Sequence, residues 1–87
     1  MSGFEDNEFE ILEGSTIKEM YVDDGGWEGG LVIVFNKKEE KGLFILGYTE
    51  LGEWVYHSQL GNIVFETSDY EPHANRIKYL QKKHLGQ

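Results

Sequence analysis

The sequence predicts an α+β domain: a strongly curved antiparallel β-meander or small barrel of five to six strands, with one C-terminal α-helix at 72–85. Three observations predict it. Short β-branched and aromatic runs recur through the middle of the chain, glycine-bearing connections separate them, and the single proline, Pro72, opens the one stretch with helical periodicity. With 87 residues, the chain fits one domain over 1–87, because small chains bury a smaller share of their surface and have little room for a second core.

The elements follow in chain order. In "DNEFEIL" the acids Asp6, Glu8 and Glu10 alternate with Asn7, Phe9 and Ile11, which predicts a strand with one wet and one buried face. Gly14 breaks it. "STIKEMYV" resumes a looser alternation, and the glycine-rich "DDGGWEGG" (23–30) connects it to "LVIVFN" (31–36). "GLFILGY" (42–48) follows across "KKEEKG", the clearest hairpin, and "EWVYHS" (53–58) and "NIVFE" (62–66) complete a meander over 31–66.

Past Pro72, Ala74, Ile77, Leu80 and Leu85 fall on one helical face and Arg76, Lys78, Lys82 and Lys83 on the other, with Gly86 as the stop. "TSDYE" before the proline offers capping oxygens. The apolar runs "LVIVF" and "LFIL" need cover on both faces, and one helix covers one. The second face therefore calls for barrel closure, packing on the remaining strands, or a homodimer through that face.

Charge is the strongest functional lead. The formal net charge is −8, and residues 1–28 hold nine acids against Lys18, whereas 29–87 hold seven acids and seven bases. This acidic N-terminal third disfavours direct binding to nucleic acid or an anionic membrane and favours a basic partner. The absence of cysteine excludes disulfides, thiolate zinc sites and cysteine nucleophiles. An acidic start and short aliphatic runs point to a cytoplasmic protein without a signal peptide or membrane span.

No motif marks a cofactor, metal or catalytic site. As a calcium loop, "DDGGWEGG" fails because its third position is Gly25 and its twelfth Val34. It also lacks the glycine register of a phosphate loop, and its acids would repel phosphate. Two readings remain: a strand connection with Trp27 folded on the core edge, or a protruding acidic loop with Trp27 as an apolar anchor. His73 and His84 share a helical face but stand about 16 Å apart, too far for one metal ion. His57, on a strand, reads as a hydrogen-bonded half-buried histidine.

The expected function is that of a non-enzymatic acidic module that binds a basic, nucleic-acid-binding protein. If residues 6–11 were extended, Asp6, Glu8 and Glu10 would project at about 6.7 Å intervals and offer charges in series, much as a phosphate backbone does. Asp23, Asp24 and Glu28 would add charge and Trp27 an anchor. In length and acidity the chain is similar to small phage or plasmid proteins that imitate DNA, which implies an inhibitor occupying its partner's DNA-binding surface. Two alternatives stand beside it: a nucleic-acid-binding barrel using the basic helix, and a small ligand-binding or enzymatic domain near His57.

Overall fold

The computed structural model describes residues 6–25, 27–49 and 52–86, with side chains from Phe9 onward. Five strands, β1 (Thr16–Val22), β2 (Gly29–Lys37), β3 (Glu40–Tyr48), β4 (Trp54–Leu60) and β5 (Ile63–Glu66), form one antiparallel sheet in sequence order. The sheet does not close: β1 and β5 are edges, so the curved meander forms and the barrel does not. A single helix, α1 (Glu71–Leu85), follows.

Residues 6–12 depart from expectation. They form a 3-10 helix, Asp6–Leu12, where alternation predicts a strand. Leu12 is the reason: as a strand residue it would share the wet face with Asp6, Glu8 and Glu10. In a 3-10 turn residues three apart eclipse, so Phe9 and Leu12 project together. Both pack with Ile11 on the sheet cluster of Ile33, Phe35 and Phe44, and the Phe9 and Phe44 rings lie 5.5 Å apart. Lys37 Nζ donates to the carbonyls of Ile11 at 3.2 Å and Glu10 at 3.4 Å, fastening the segment to the end of β2.

That segment supplies a cover for the second face of β2 and β3. On the opposite face, Ile77 and Leu80 of α1 pack on Val32, Val34, Leu43 and Ile45. The register explains both clusters: Val32 pairs with Ile45 and Val34 with Leu43 on one side of the pleat, Ile33 with Phe44 on the other. The 3-10 cover does not reach β1, where Met20 and Val22 remain exposed.

The turns are tighter than the sequence suggests. "KKEEKG" is mostly strand, closed by Lys38 and Glu39 alone, both at positive φ (52° and 66°). This is the backbone of a two-residue hairpin that glycine or asparagine would adopt more easily. The helix begins at Tyr70, whose side chain and neighbours leave it without a side-chain cap; Pro72 sits in the first turn, and Gly86 (φ 73°) ends the helix in the left-handed conformation. No helix among the described residues is long and apolar enough to cross a membrane.

Candidate functional site: an acidic aromatic groove

The 23–30 connection turns inward. Trp27 and Asp23 are each only 7% exposed. The Trp27 indole N–H donates to the Asp23 carbonyl at 2.8 Å, and the Asp23 amide donates to the Gly30 carbonyl at 2.9 Å. The indole lies on the paired glycines Gly30 and Gly47, where an added Cβ would stand 2.5 Å and 2.9 Å from its atoms. Glycines are needed here to make a flat seat for a ring. The Asp23 carboxylate is gripped by the Arg76 guanidinium through Nε at 3.0 Å and through Nη2, a forked geometry suited to arginine. This bond, the largest influence on the group, lowers the Asp23 pKa below its ordinary value, against the upward push of burial.

Asp23 and Trp27 are therefore spent inside the fold, and Asp24 and Glu28 stay on the surface with Glu10. The side chains of Asp6 and Glu8 lie outside the described residues. The 3-10 backbone also removes the extended spacing on which their serial row with Glu10 depended. Nor are the acids gathered in one place. Glu10 sits by the hairpin end of β2, through Lys37, and Asp24 and Glu28 sit by its start, about 26 Å away at strand rise over nine residues.

At that second pole lies a groove of about 830 Å³. It exists because β5 is short: its pairing with β4 covers only Ser58–Leu60, and the chain then swings through 67–70 to α1. β4 contributes Trp54, Val55 and Tyr56; by register Val55 lies on the helix side of the sheet, and Trp54, edge-on to its cross-strand partner Tyr48 at 4.9 Å between centroids, lies on the other. The start of α1 contributes the His73 ring, which lies 4.8 Å from Tyr70 and 6.1 Å from Trp27. Glu28, Glu53, Glu66 and Asp69 line the groove, with no lysine or arginine among the described lining residues. Among the described residues, Glu28, Glu53 and Asp69 take part in no ion pair.

The helix start contributes an opposing charge, equivalent to roughly half a positive charge at its N-terminus. Four carboxylates outweigh it, so the groove is an anionic environment. Sequence reasoning placed an alternative site near His57, within the strand 53–58, but did not point to Glu66, Asp69, Tyr70 and His73. Their shared signal, acids beside aromatics, is split between segments that meet only in three dimensions.

His57 itself is not in the groove wall. Buried on the helix side of β4, it meets Gln59 Oε1 through Nε2 at 2.5 Å and Thr67 Oγ1 through Nδ1 at 2.9 Å. Gln59 Nε2 donates to the Gly61 carbonyl at 3.0 Å, so its Oε1 faces His57 and accepts. His57 Nε2 therefore carries the proton, and Thr67 donates to Nδ1. Gln81 Nε2 donates to the same Gln59 oxygen at 2.8 Å and ties the network to α1. Burial holds the His57 pKa below its ordinary value, with the Gln59 bond partly opposing. This constellation joins β4 to its connection and to the helix.

The basic helix face is also partly engaged. Arg76 serves Asp23 and lies 4.5 Å over the Tyr79 ring, and Lys83 lies 5.5 Å over Tyr21. Tyr21 Oη contacts His84 Nε2 at 2.6 Å, and Glu19 approaches Nδ1 at 3.7 Å. Comparison of the chain with protein families, curated proteins and solved structures returns no match.

Proposed function

We propose that this chain is a non-enzymatic module that binds a basic protein surface, with the groove pole as its contact face. The observation that carries the reading is the concentration of carboxylates without basic neighbours around that groove, on a chain of net charge −8. Such a surface attracts cationic partners at long range and raises the association rate. DNA mimicry is the narrower form of this proposal. It requires carboxylates in series, and the 3-10 turn at 6–12 does not space Asp6, Glu8 and Glu10 as a strand would. It leaves the groove-side acids as the charges that would stand in for phosphates.

The test is affinity capture from nuclease-treated lysate, followed by association rates for the purified captured protein at about 0.1 M and about 0.5 M salt, across which the screening length shortens roughly twofold. The expected result is one basic protein whose association slows at least about tenfold at the higher salt. A captured partner with a salt-independent rate, or no basic partner at all, overturns the proposal. Duplex DNA that displaces the chain from its partner supports the mimic form, and DNA that binds alongside it excludes that form.

A further inference from the structure

We propose that the half of the sheet's second face left bare by the 3-10 segment is a two-fold interface on which a second copy of this chain packs. The inference goes beyond the reading of the chain as a module for basic proteins and uses a different surface. By register, Met20, Val22, Leu31, Leu46, Tyr48, Trp54 and Tyr56 all project from the side of the sheet opposite α1. Val22, Leu31, Leu46 and Tyr56 form one cross-strand row, and Tyr48 and Trp54 form the next, with their rings edge-on.

Area is the first observation. Met20 is 62% exposed, Val22 78%, Tyr48 42% and Trp54 39%, and Leu31, Leu46 and Tyr56 are half-buried. At about 150–250 Å² for a whole aromatic side chain, the four most exposed leave on the order of 100 Å² each, and the patch as a whole reaches roughly 600 Å². That is the top of the range for apolar patches on monomers. Two copies joined through it enclose about 1,200 Å² before any polar rim is counted, which is where stable interfaces begin.

Chemistry is the second. From β1 to β4, these rows and the Met20 row beside them, with Ile33, Phe44 and Ser58, hold no charged side chain, on a chain of net charge −8. Loss of charge together with aromatics and methionine is the composition of interface cores. A basic partner finds no carboxylate to pair with there, whereas a second copy brings a matching apolar surface. Residues 1–5 bring two large apolar side chains, Met1 and Phe4, against seven in the patch.

Shape is the third. Sheets stack face to face about 10 Å apart, and the 3-10 segment already fills that layer over Ile33, Phe35 and Phe44, towards the hairpin that joins β2 to β3. A two-fold axis through the bare half sets the second sheet beside this segment and the second 3-10 segment at the opposite end, so that each copy covers the other.

The test is sedimentation velocity of the full chain from about 1 to about 200 μM, a span suited to a weak interface, at about 0.1 M and about 0.5 M salt. The expected result is a reversible monomer–dimer equilibrium that holds or tightens at the higher salt, where repulsion between two acidic copies is screened. Acrylamide quenching reports Trp54, because Trp27 is buried, and should fall as the dimer forms. Val22→Glu should weaken dimerisation at least about hundredfold, because the symmetry buries the unpaired charge twice. Val64→Glu, on the helix side of β5, should leave it unchanged. Circular dichroism at the highest concentration shows whether the variants are folded, and the dilution series of the wild type decides the question independently of them.

A wild type that stays monomeric throughout overturns the proposal, whether Trp54 is open to acrylamide or shielded by the chain's own residues. Equal losses in the two variants overturn the assignment of the face. So does a dimer that dissociates as salt rises, since charge pairs would then hold it. If the dimer forms and no basic protein is captured, the function proposed above fails and this interface stands. If a basic protein is captured by a chain that is strictly monomeric, the reverse holds.

Discussion

The two faces of the sheet are closed by different physics. On the helix side, a fifteen-residue α-helix buries Ile77 and Leu80 and is also tied by three polar links: Arg76 to Asp23, Gln81 to Gln59, and His84 to Tyr21. On the other side, a seven-residue 3-10 segment lays down Phe9, Ile11 and Leu12, with Lys37 as its polar fastening. The first face has links whose partners are fixed, so its helix can sit in one place only. The second face relies chiefly on apolar contact, which is non-directional, and leaves Val22 78% exposed. Directional bonds set position; apolar area sets adhesion.

The largest expected break in this comparison is Leu80→Ala, which removes a fully buried side chain from the helix face and should cost about 2–5 kcal/mol, as for other leucine cavities. Phe9→Ala, at a half-buried position of the 3-10 segment, should cost less, about 1–3 kcal/mol, because solvent already reaches the ring. Denaturant unfolding of both variants checks the order. Equal losses would mean that the two covers contribute alike.

A middle-sized effect comes from the polar links. Asp23 has a lowered pKa through Arg76, so its contribution is complete above the ordinary value of 3.8 and is lost as the pH falls through the lower folded value. His57 and His84 are lowered by burial from 6.5, so the unfolded chain takes up their protons first and stability falls as the pH drops below 6.5. Acid unfolding of the wild type should show both declines. Asp23→Asn should cost about 1–3 kcal/mol at neutral pH, as for a buried group left half-satisfied, and should remove the low-pH decline while retaining the one below 6.5. An acid profile unchanged by Asp23→Asn would remove the link from the account.

The smallest effect sharpens the comparison by acting on neither cover. Lys38→Asn with Glu39→Gly places preferred residues in a hairpin where both now hold positive φ, and should stabilise the chain by about 1 kcal/mol. Thermal unfolding should show a higher midpoint with the difference between Leu80→Ala and Phe9→Ala unchanged. A lower midpoint would mean that the Lys38 and Glu39 side chains contribute more than their backbone costs.

Much of the fold was legible. The meander, the helix boundaries within a residue, and the need to cover both faces of β2 and β3 all follow from periodicity and from Pro72 and Gly86, which act within a few residues of themselves. The 6–12 strand was misread because its alternation is also compatible with a 3-10 turn, and only contact with Phe44 favours the turn. The site was less legible. Of the two readings of "DDGGWEGG", the fold takes the strand connection with Trp27 on the core edge, against Gly30 and Gly47, while the sequence could not show that Asp23 turns to Arg76, fifty-three residues away.

Local chemistry by itself determined the strands, the helix, the net charge and its bias towards the first third. Only tertiary structure decided which acids face solvent, where the second face finds its cover, and that residues 53–56 and 66–73 converge on one groove. The physical reason is range. Hydrophobic periodicity and turn chemistry are properties of neighbouring residues, whereas burial, ion pairing and cavity shape depend on which distant segments meet when the sheet and helix pack.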